Sequence, residues 1–241
     1  MIQRRHFVGD QFERIYYEMI TEIFVNPEFN CICEGKQTKE TTGASFILTD
    51  PKENLIHNVA RGMKFDFARK FFDWILAGES DVSKLYSSND NAKKYDDDSK
   101  GRNTAYGPRI NAQIEAVIKE LQLNPGSRRP VIHILLPEDL EMLDDKRKGQ
   151  ERTEYPCTIA IQFMIRNNDL NMYVMMRSNN IVTTLCYDVY NFTNLMMYVC
   201  SRLNEINLGW YHHHMMSAHI YKEEEPLVRK ILHDYAGWDW S

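Results

Sequence analysis

Three kinds of side chain in this 241-residue sequence could carry chemistry, and cysteine comes first. In Tyr155-Pro156-Cys157-Thr158 a cysteine follows a proline at the start of an apolar stretch, where its sulfur can face a cleft. A reactive thiol needs a neighbouring cation to favour the thiolate. Arg177 stands 20 residues further on, a step that two strands joined by a turn would fold back alongside Cys157. Core packing is the stronger reading for an isolated cysteine, and Cys186 and Cys200 lie in apolar segments that suit it. Arginine is the second kind. Asn124-Pro125-Gly126-Ser127-Arg128-Arg129 carries two adjacent guanidinium groups after a turn, and Met176-Arg177-Ser178 adds a third beside a hydroxyl. Three such forks converging on one place would hold a dianion such as phosphate, whereas a single arginine is more often in a surface ion pair. The third is His212-His213-His214. Consecutive residues cannot all face one ion from a regular element, and no Cys or His spacing elsewhere supports a metal site, so no metal is expected.

These groups need elements to hold them. Arg14–Val25 has the apolar spacing of an amphipathic helix that stops before Asn26-Pro27, and Lys64–Ala77 has helical spacing again. Thr41–Leu48 reads as a strand entered through the polar, lysine-bearing loop GKQTKE. Ser80–Arg102 is polar and rich in turn formers, a surface loop with room for one short helix. Ala112–Leu121 is helical, and the turn after it leads into a buried strand over Val131–Leu136. Beyond a charged loop, Thr158–Ile165 and Leu170–Met176 form a hairpin across Arg166-Asn167-Asn168-Asp169. Tyr190–Leu203 is a long apolar helix, and a short helix precedes the Trp-containing tail. Strands and helices mix without a regular β-α-β period, which by pattern is α+β, and there is neither an internal repeat nor a Gly-rich phosphate loop.

Composition narrows the class. With 43% hydrophobic and 26% charged residues the chain has the balance of a globular protein, expected as a single domain over 1–241. No apolar run approaches the roughly 20 residues of a membrane span, so no membrane partner is expected. Five cysteines, an odd number with no C-x-x-C pair, suit a reducing, cytoplasmic setting. A balance of 29 Lys+Arg against 34 Asp+Glu argues against direct binding of nucleic acid through a basic surface.

Together these pieces resemble the thymidylate synthases and their phage relatives, the deoxycytidylate hydroxymethylases. In family order they are Asn103-Thr104-Ala105-Tyr106-Gly107, Asn124 to Arg129, Pro156-Cys157-Thr158 with Gln162-Phe163, Met176-Arg177-Ser178-Asn179-Asn180, Asp188 with Tyr190, and Ala218-His219-Ile220-Tyr221. The resemblance covers Thr42 to Tyr221, and Thr42-Gly43-Ala44-Ser45-Phe46 with the Met-Arg-Ser-Asn run is closer to the T-even phage hydroxymethylases than to a typical thymidylate synthase.

The resemblance implies an α/β fold of the thymidylate synthase type, a mixed sheet that forms a dimer interface and is covered by helices on its other face. It makes Cys157 the nucleophile that adds to C6 of a pyrimidine, and 5,10-methylenetetrahydrofolate the co-substrate. It assigns the nucleotide phosphate to Arg177 and Ser178, with Arg128 and Arg129 lent by the second subunit of a homodimer. His219 and Tyr221 match the pair that holds the sugar hydroxyl, and Tyr106 a tyrosine near the reacting base. Lys36 and Lys39 join the expected substrate-binding set, and Trp74 and Asn180 the folate side.

The base-reading position is Asp188 where thymidylate synthases usually carry asparagine. A carboxylate accepts from the exocyclic amine of cytosine, so dCMP is the favoured substrate and 5-hydroxymethyl-dCMP the product. A C5 methyltransferase acting on dUMP or dCMP and a non-catalytic nucleotide-binding homologue are the alternatives. Two positions depart from the family: Phe71 stands where a proton-relaying glutamate is usual, with Asp66 or Asp73 as substitutes, and Asn180 stands where an aspartate is usual.

Overall fold

The computed structural model describes residues 5–85, 87–89, 104–141, 143 and 155–236. Asn103, most of the Ser80–Arg102 loop, most of the loop before Tyr155 and the Trp-containing tail lie outside the described residues. Eight strands make one mixed sheet: β1 (His6–Gly9), β2 (Phe29–Cys33), β3 (Lys36–Leu48), β4 (Val131–His133), β5 (Thr158–Arg166), β6 (Asp169–Met176), β7 (Asn179–Asn180) and β8 (Asn207–Tyr221). Their order is β1-β3-β8-β6-β5-β4, with β2 also on β3 and β7 also on β8. β3 is antiparallel to β8, whereas β6 and β7 run parallel to it. The helices are α1 (Phe12–Val25), α2 (Phe65–Leu76), α3 (Tyr106–Asn111), α4 (Ile114–Leu123), α5 (Leu185–Ser201) and α6 (Glu225–Ala236).

The sheet has two unlike faces because strand side chains alternate. Phe46, Phe163, Met172, Val174, Tyr211 and Met215 are fully buried and join the helices in one continuous core. On the other face Tyr173, Trp210 and His212 are half-buried and Met175 is 41% exposed. His212, His213 and His214 are divided by the same alternation: His213 is buried and stacks on Phe46 at 5.2 Å, while its neighbours turn to the open face.

The β5–β6 hairpin is the expected one. Asn167 and Asn168 take φ of 54° and 63°, the left-handed pair that a tight two-residue hairpin turn requires and that asparagine tolerates. Other elements differ from the sequence reading. The lysine-bearing loop GKQTKE is the first part of β3, stabilised by pairing with both β2 and β8. The strand at Val131 ends at His133, because a short 3-10 turn begins at Pro137. Helix α5 begins at Leu185, five residues before Tyr190, which places Asp188 in its first turn. β8, fifteen residues long, was not anticipated at all.

Candidate active site

Cys157 sits just before β5 and Arg177 just after β6, so the antiparallel hairpin returns one beside the other. The backbone N–H of Arg177 donates to the Cys157 carbonyl at 2.8 Å, and Nη2 lies 3.7 Å from Sγ. The guanidinium is held by carbonyls of Pro156 and Tyr155, both at 2.9 Å, and lies over the Tyr155 ring. A cation fixed there favours negative charge on the sulfur.

Tyr106 opens α3. Gly107 follows it because a Cβ at that position would stand 2.9 Å from the Ile75 carbonyl and 3.0 Å from that of Glu79, so only glycine lets α3 approach the end of α2 so closely. The Tyr106 hydroxyl accepts from the amide and hydroxyl of Thr158, at 3.2 and 3.0 Å. Burial, with the charges of Cys157 and Asp188 close by, holds its phenol well above the usual range. The same end of the sheet brings in β8: Ser178 Oγ is 3.5 Å from His219 Nδ1, and the His219 and Tyr221 rings are 4.9 Å apart. Burial keeps the His219 imidazole below its ordinary pKa and the Tyr221 phenol above its own.

Asp188 is half-buried, and desolvation raises its carboxyl to about 6 against the stabilising hydrogen bonds of Asn179 and Thr184. Asn179 Nδ2 donates to Asp188 Oδ2 at 2.8 Å. Cys157, Arg177, Ser178, Tyr106, Asp188, His219 and Tyr221 thus form one constellation, with a thiol, a fixed cation and a carboxyl whose ionisation is opposed by desolvation.

Other expected residues lie at the edge of this constellation or outside it. Arg128 and Arg129 are exposed, and the Arg128 carbonyl accepts from Gln162 at 2.8 Å. They flank the far half of β5, about 17 Å along the strand from Cys157. Lys36 Nζ lies 4.4 Å over the Tyr221 ring and 2.9 Å from Glu223. Lys39 projects from the opposite face of β3 toward α1, where it donates to the Phe24 carbonyl at 3.1 Å. Trp74 is buried, its indole N–H bound to the Asp81 carbonyl at 2.9 Å. Neither proposed substitute for the missing glutamate reaches the site: Asp66 is 91% exposed and pairs with Arg69, and Asp73 is exposed on α2.

Two residues that sequence reasoning passed over belong here. Glu224 receives both Asn180 Nδ2 contacts, at 2.9 and 3.0 Å, and the Tyr221 amide at 2.9 Å, and burial raises its carboxyl. Asn180 spends Oδ1 on the amides of Val182 and Thr183, which shapes the turn into α5. A carboxylate therefore does stand beside position 180, supplied from the turn after β8. Asn179 is the second, and only the parallel pairing of β7 with β8 reveals its role. Among the described residues one set of potential metal ligands comes together, Cys31, Cys33 and Glu40 within 4.8 Å. That set is closed by hydrogen bonds, since the Cys31 thiol is 3.3 Å from Cys33 Sγ and 3.8 Å from Glu40 Oε2.

Comparison with known proteins finds relatives along most of the chain. A thymidylate synthase homologue of Methanocaldococcus jannaschii is 27% identical over 227 residues, 93% of this chain and 95% of its own length. The deoxyuridylate hydroxymethyltransferase of Bacillus phage SP01 is 23% identical over 234 residues, 90% of this chain and 59% of that protein. The deoxycytidylate 5-hydroxymethyltransferase of Enterobacteria phage T4 is 27% identical over 154 residues, 61% of this chain and 58% of that protein. The family model for thymidylate synthase extends over residues 14–235, from α1 to the last helix and across every side chain of the constellation. The chain therefore belongs to the thymidylate synthase family, whose members are transferases that use methylenetetrahydrofolate to deliver a one-carbon unit to a pyrimidine nucleotide.

Proposed function

We propose that the protein hydroxymethylates dCMP at C5, with Cys157 as nucleophile. The observation that carries this reading is the desolvated Asp188 carboxyl, held by Asn179 at 2.8 Å and in reach of both protonation states, at the position that the family resemblance assigns to the base edge. As the anion it accepts from the cytosine amine, and as the acid it also donates to N3. Uracil presents the reverse pattern, an N3–H and an O4 acceptor, and leaves a buried group unpaired.

The Cys157 thiolate adds to C6, which moves the C5–C6 electron pair toward C5 and the ring carbonyl. Asp188 stabilises that charge at N3 and the C4 substituent, and Arg177 and Ser178 hold the phosphate while His219 and Tyr221 hold the sugar. Methylenetetrahydrofolate supplies a one-carbon unit at the oxidation level of formaldehyde; C5 bonds to that carbon, the C–N bond to it breaks as tetrahydrofolate departs, and the C5 proton is lost to solvent, which leaves an exocyclic methylene on C5. Water then adds to the C5 methylene as the C6–S bond breaks, which restores the ring double bond and the free thiol. Half-buried Phe71 and Tyr187 are the aromatic surfaces we assign to a flat pteridine, with buried Trp74 behind Phe71 at 5.9 Å and Phe67 edge-on to Tyr187. Glu224, held by Asn180, is the carboxylate we assign to the folate and water side.

We infer that the site is completed by a second copy. Arg128 and Arg129 are remote from their own Cys157, and the uncovered sheet face bears Tyr173, Met175, Trp210 and His212. The SP01 relative acts on deoxyuridylate, so the substrate test uses both bases.

Mass spectrometry of products from dCMP or dUMP, each with methylenetetrahydrofolate, tests the proposal. Addition of CH2O to dCMP is expected. CH2O on dUMP alone would overturn the base assignment, CH2 on either would make the protein a methyltransferase, and no product would favour a binding protein.

A further inference from the structure

Behind Asp188 runs a buried hydrogen-bonded chain that reaches back into β8. Tyr211 OH is 2.5 Å from His213 Nδ1, His213 Nε2 is 2.9 Å from Asn179 Oδ1, and Asn179 Nδ2 is 2.8 Å from Asp188 Oδ2. Tyr211 and His213 are fully buried and Asn179 is 2% exposed. The second amide hydrogen of Asn179 goes to Thr184 Oγ1 at 3.1 Å, so the whole amide is committed.

Each donor fixes the next. Asn179 offers both hydrogens to Asp188 and Thr184, so its carbonyl oxygen must accept from His213, which requires the neutral Nε2–H tautomer. The Nδ1 lone pair then accepts the Tyr211 proton. Burial drives the His213 imidazole down to about 3, consistent with a ring that stays neutral. Rotating the Asn179 amide by half a turn would set oxygen against oxygen at an ionised Asp188 and would need the Nδ1–H tautomer of His213, which takes from the buried Tyr211 hydroxyl the acceptor of its hydrogen. Buried mismatches of this kind are costly, so one orientation persists.

We propose that Asn179, locked by His213 and Tyr211, is a positioning residue for base selection: it keeps Asp188 Oδ2 an acceptor in every state and confines any carboxyl proton to Oδ1. With the base read so that its C4 substituent meets Oδ2 and N3 meets Oδ1, that substituent faces an oxygen that cannot donate. An exocyclic amine satisfies it, and a carbonyl oxygen does not. This inference rests on the reading of Asp188 as the base-reading group.

The test compares equilibrium affinities and kcat/KM for dCMP and dUMP in His213→Phe, His213→Gln and Asp188→Asn. Phenylalanine keeps the stack on Phe46 but removes the donor, and the glutamine amide can stand where Nε2 does. His213→Phe is expected to lower the dCMP:dUMP preference at least tenfold, mainly through nucleotide binding and KM, and His213→Gln to restore it to within threefold. Equal losses on both nucleotides, or an unchanged ratio, would overturn the inference. If Asp188→Asn shifts the ratio while His213→Phe does not, the base-reading assignment stands and only this inference fails; if Asp188→Asn does not shift it, the assignment itself fails. Should His213→Phe not fold, Tyr211→Phe and the ring 15N shifts of labelled wild-type histidine decide the matter. The Nε2–H tautomer is expected for His213, and an Nδ1–H tautomer would overturn the chain.

Discussion

Arg177 and Cys157 are joined twice, by a backbone hydrogen bond of 2.8 Å and by a guanidinium 3.7 Å from the sulfur. The backbone contact continues the hairpin just past its last ladder pair, Thr158 with Met176, so folding β5 against β6 brings the cation to the thiol.

Removing either member should separate binding from chemistry. Cys157→Ser is expected to keep nucleotide affinity within a few-fold and to abolish turnover and tritium release from C5-labelled dCMP. Arg177→Lys keeps the charge but loses the fork that grips two carbonyls, and should lower kcat/KM by about tenfold to a hundredfold. Turnover at the wild-type rate in Cys157→Ser would refute the nucleophile.

Replacing the base-reading carboxyl should redirect selection. Asp188→Asn supplies a donor and an acceptor matched to uracil, and discrimination is expected to move toward dUMP by about 1–3 kcal/mol, roughly fivefold to 150-fold in relative kcat/KM. Steady-state assays on both nucleotides read this directly.

Stability should depend on pH through the same group. The Asp188 carboxyl is raised from 3.8 to about 6 in the folded protein, so the native state holds its proton more tightly than the unfolded chain does. Its contribution is fully present below pH 4 and is lost as pH rises through 6, a change of about 3 kcal/mol. His213 acts oppositely: its folded pKa is depressed, so it stabilises above pH 6.5 and costs stability as pH falls toward 3. Urea denaturation of wild type and Asp188→Asn between pH 4 and 8 should show the variant gaining relative stability across that range. A constant difference would contradict the raised carboxyl.

A structural ion pair holds Tyr106 in place at a distance. Arg109, on the same short helix, binds Asp139 through two contacts of 2.6 and 2.7 Å, and both side chains are buried. Arg109→Met leaves that carboxylate uncompensated and should cost about 3–5 kcal/mol, whereas adding Asp139→Leu should recover most of the loss. Chemical denaturation of the single and double variants measures both.

Local chemistry made part of this legible in the sequence. Asn167-Asn168 between two apolar runs announces a tight hairpin, and the hairpin explains the 20-residue step from Cys157 to Arg177. β8 escaped because GWYHHHMMSAH has no clean alternation of apolar and polar residues: histidine and methionine serve on both faces. The contact of Asn179 with His213 spans 34 residues and exists only because β7 lies parallel to β8, a pairing no local pattern specifies. Glu224 was hidden for a similar reason, since an acidic run after a strand ordinarily means a solvated turn. Asp66 and Asp73 drew attention by proximity in sequence, but helix geometry turns both outward.

Three identical side chains in a row leave β8 with a problem of register. A slip by one residue would put another imidazole where His213 belongs and reverse every neighbour on the strand, so the histidines themselves cannot specify the correct pairing. Gly209 can. A Cβ there would stand 2.4 Å from Asn171 Oδ1 and 2.6 Å from the Leu170 carbonyl, at the irregularity between β6 and β8, and Asn171 Oδ1 takes the Trp210 amide at 3.1 Å. Any slip would drive a bulky residue into that gap. A glycine four positions away, with no chemistry of its own, thereby decides which of three histidines faces the site.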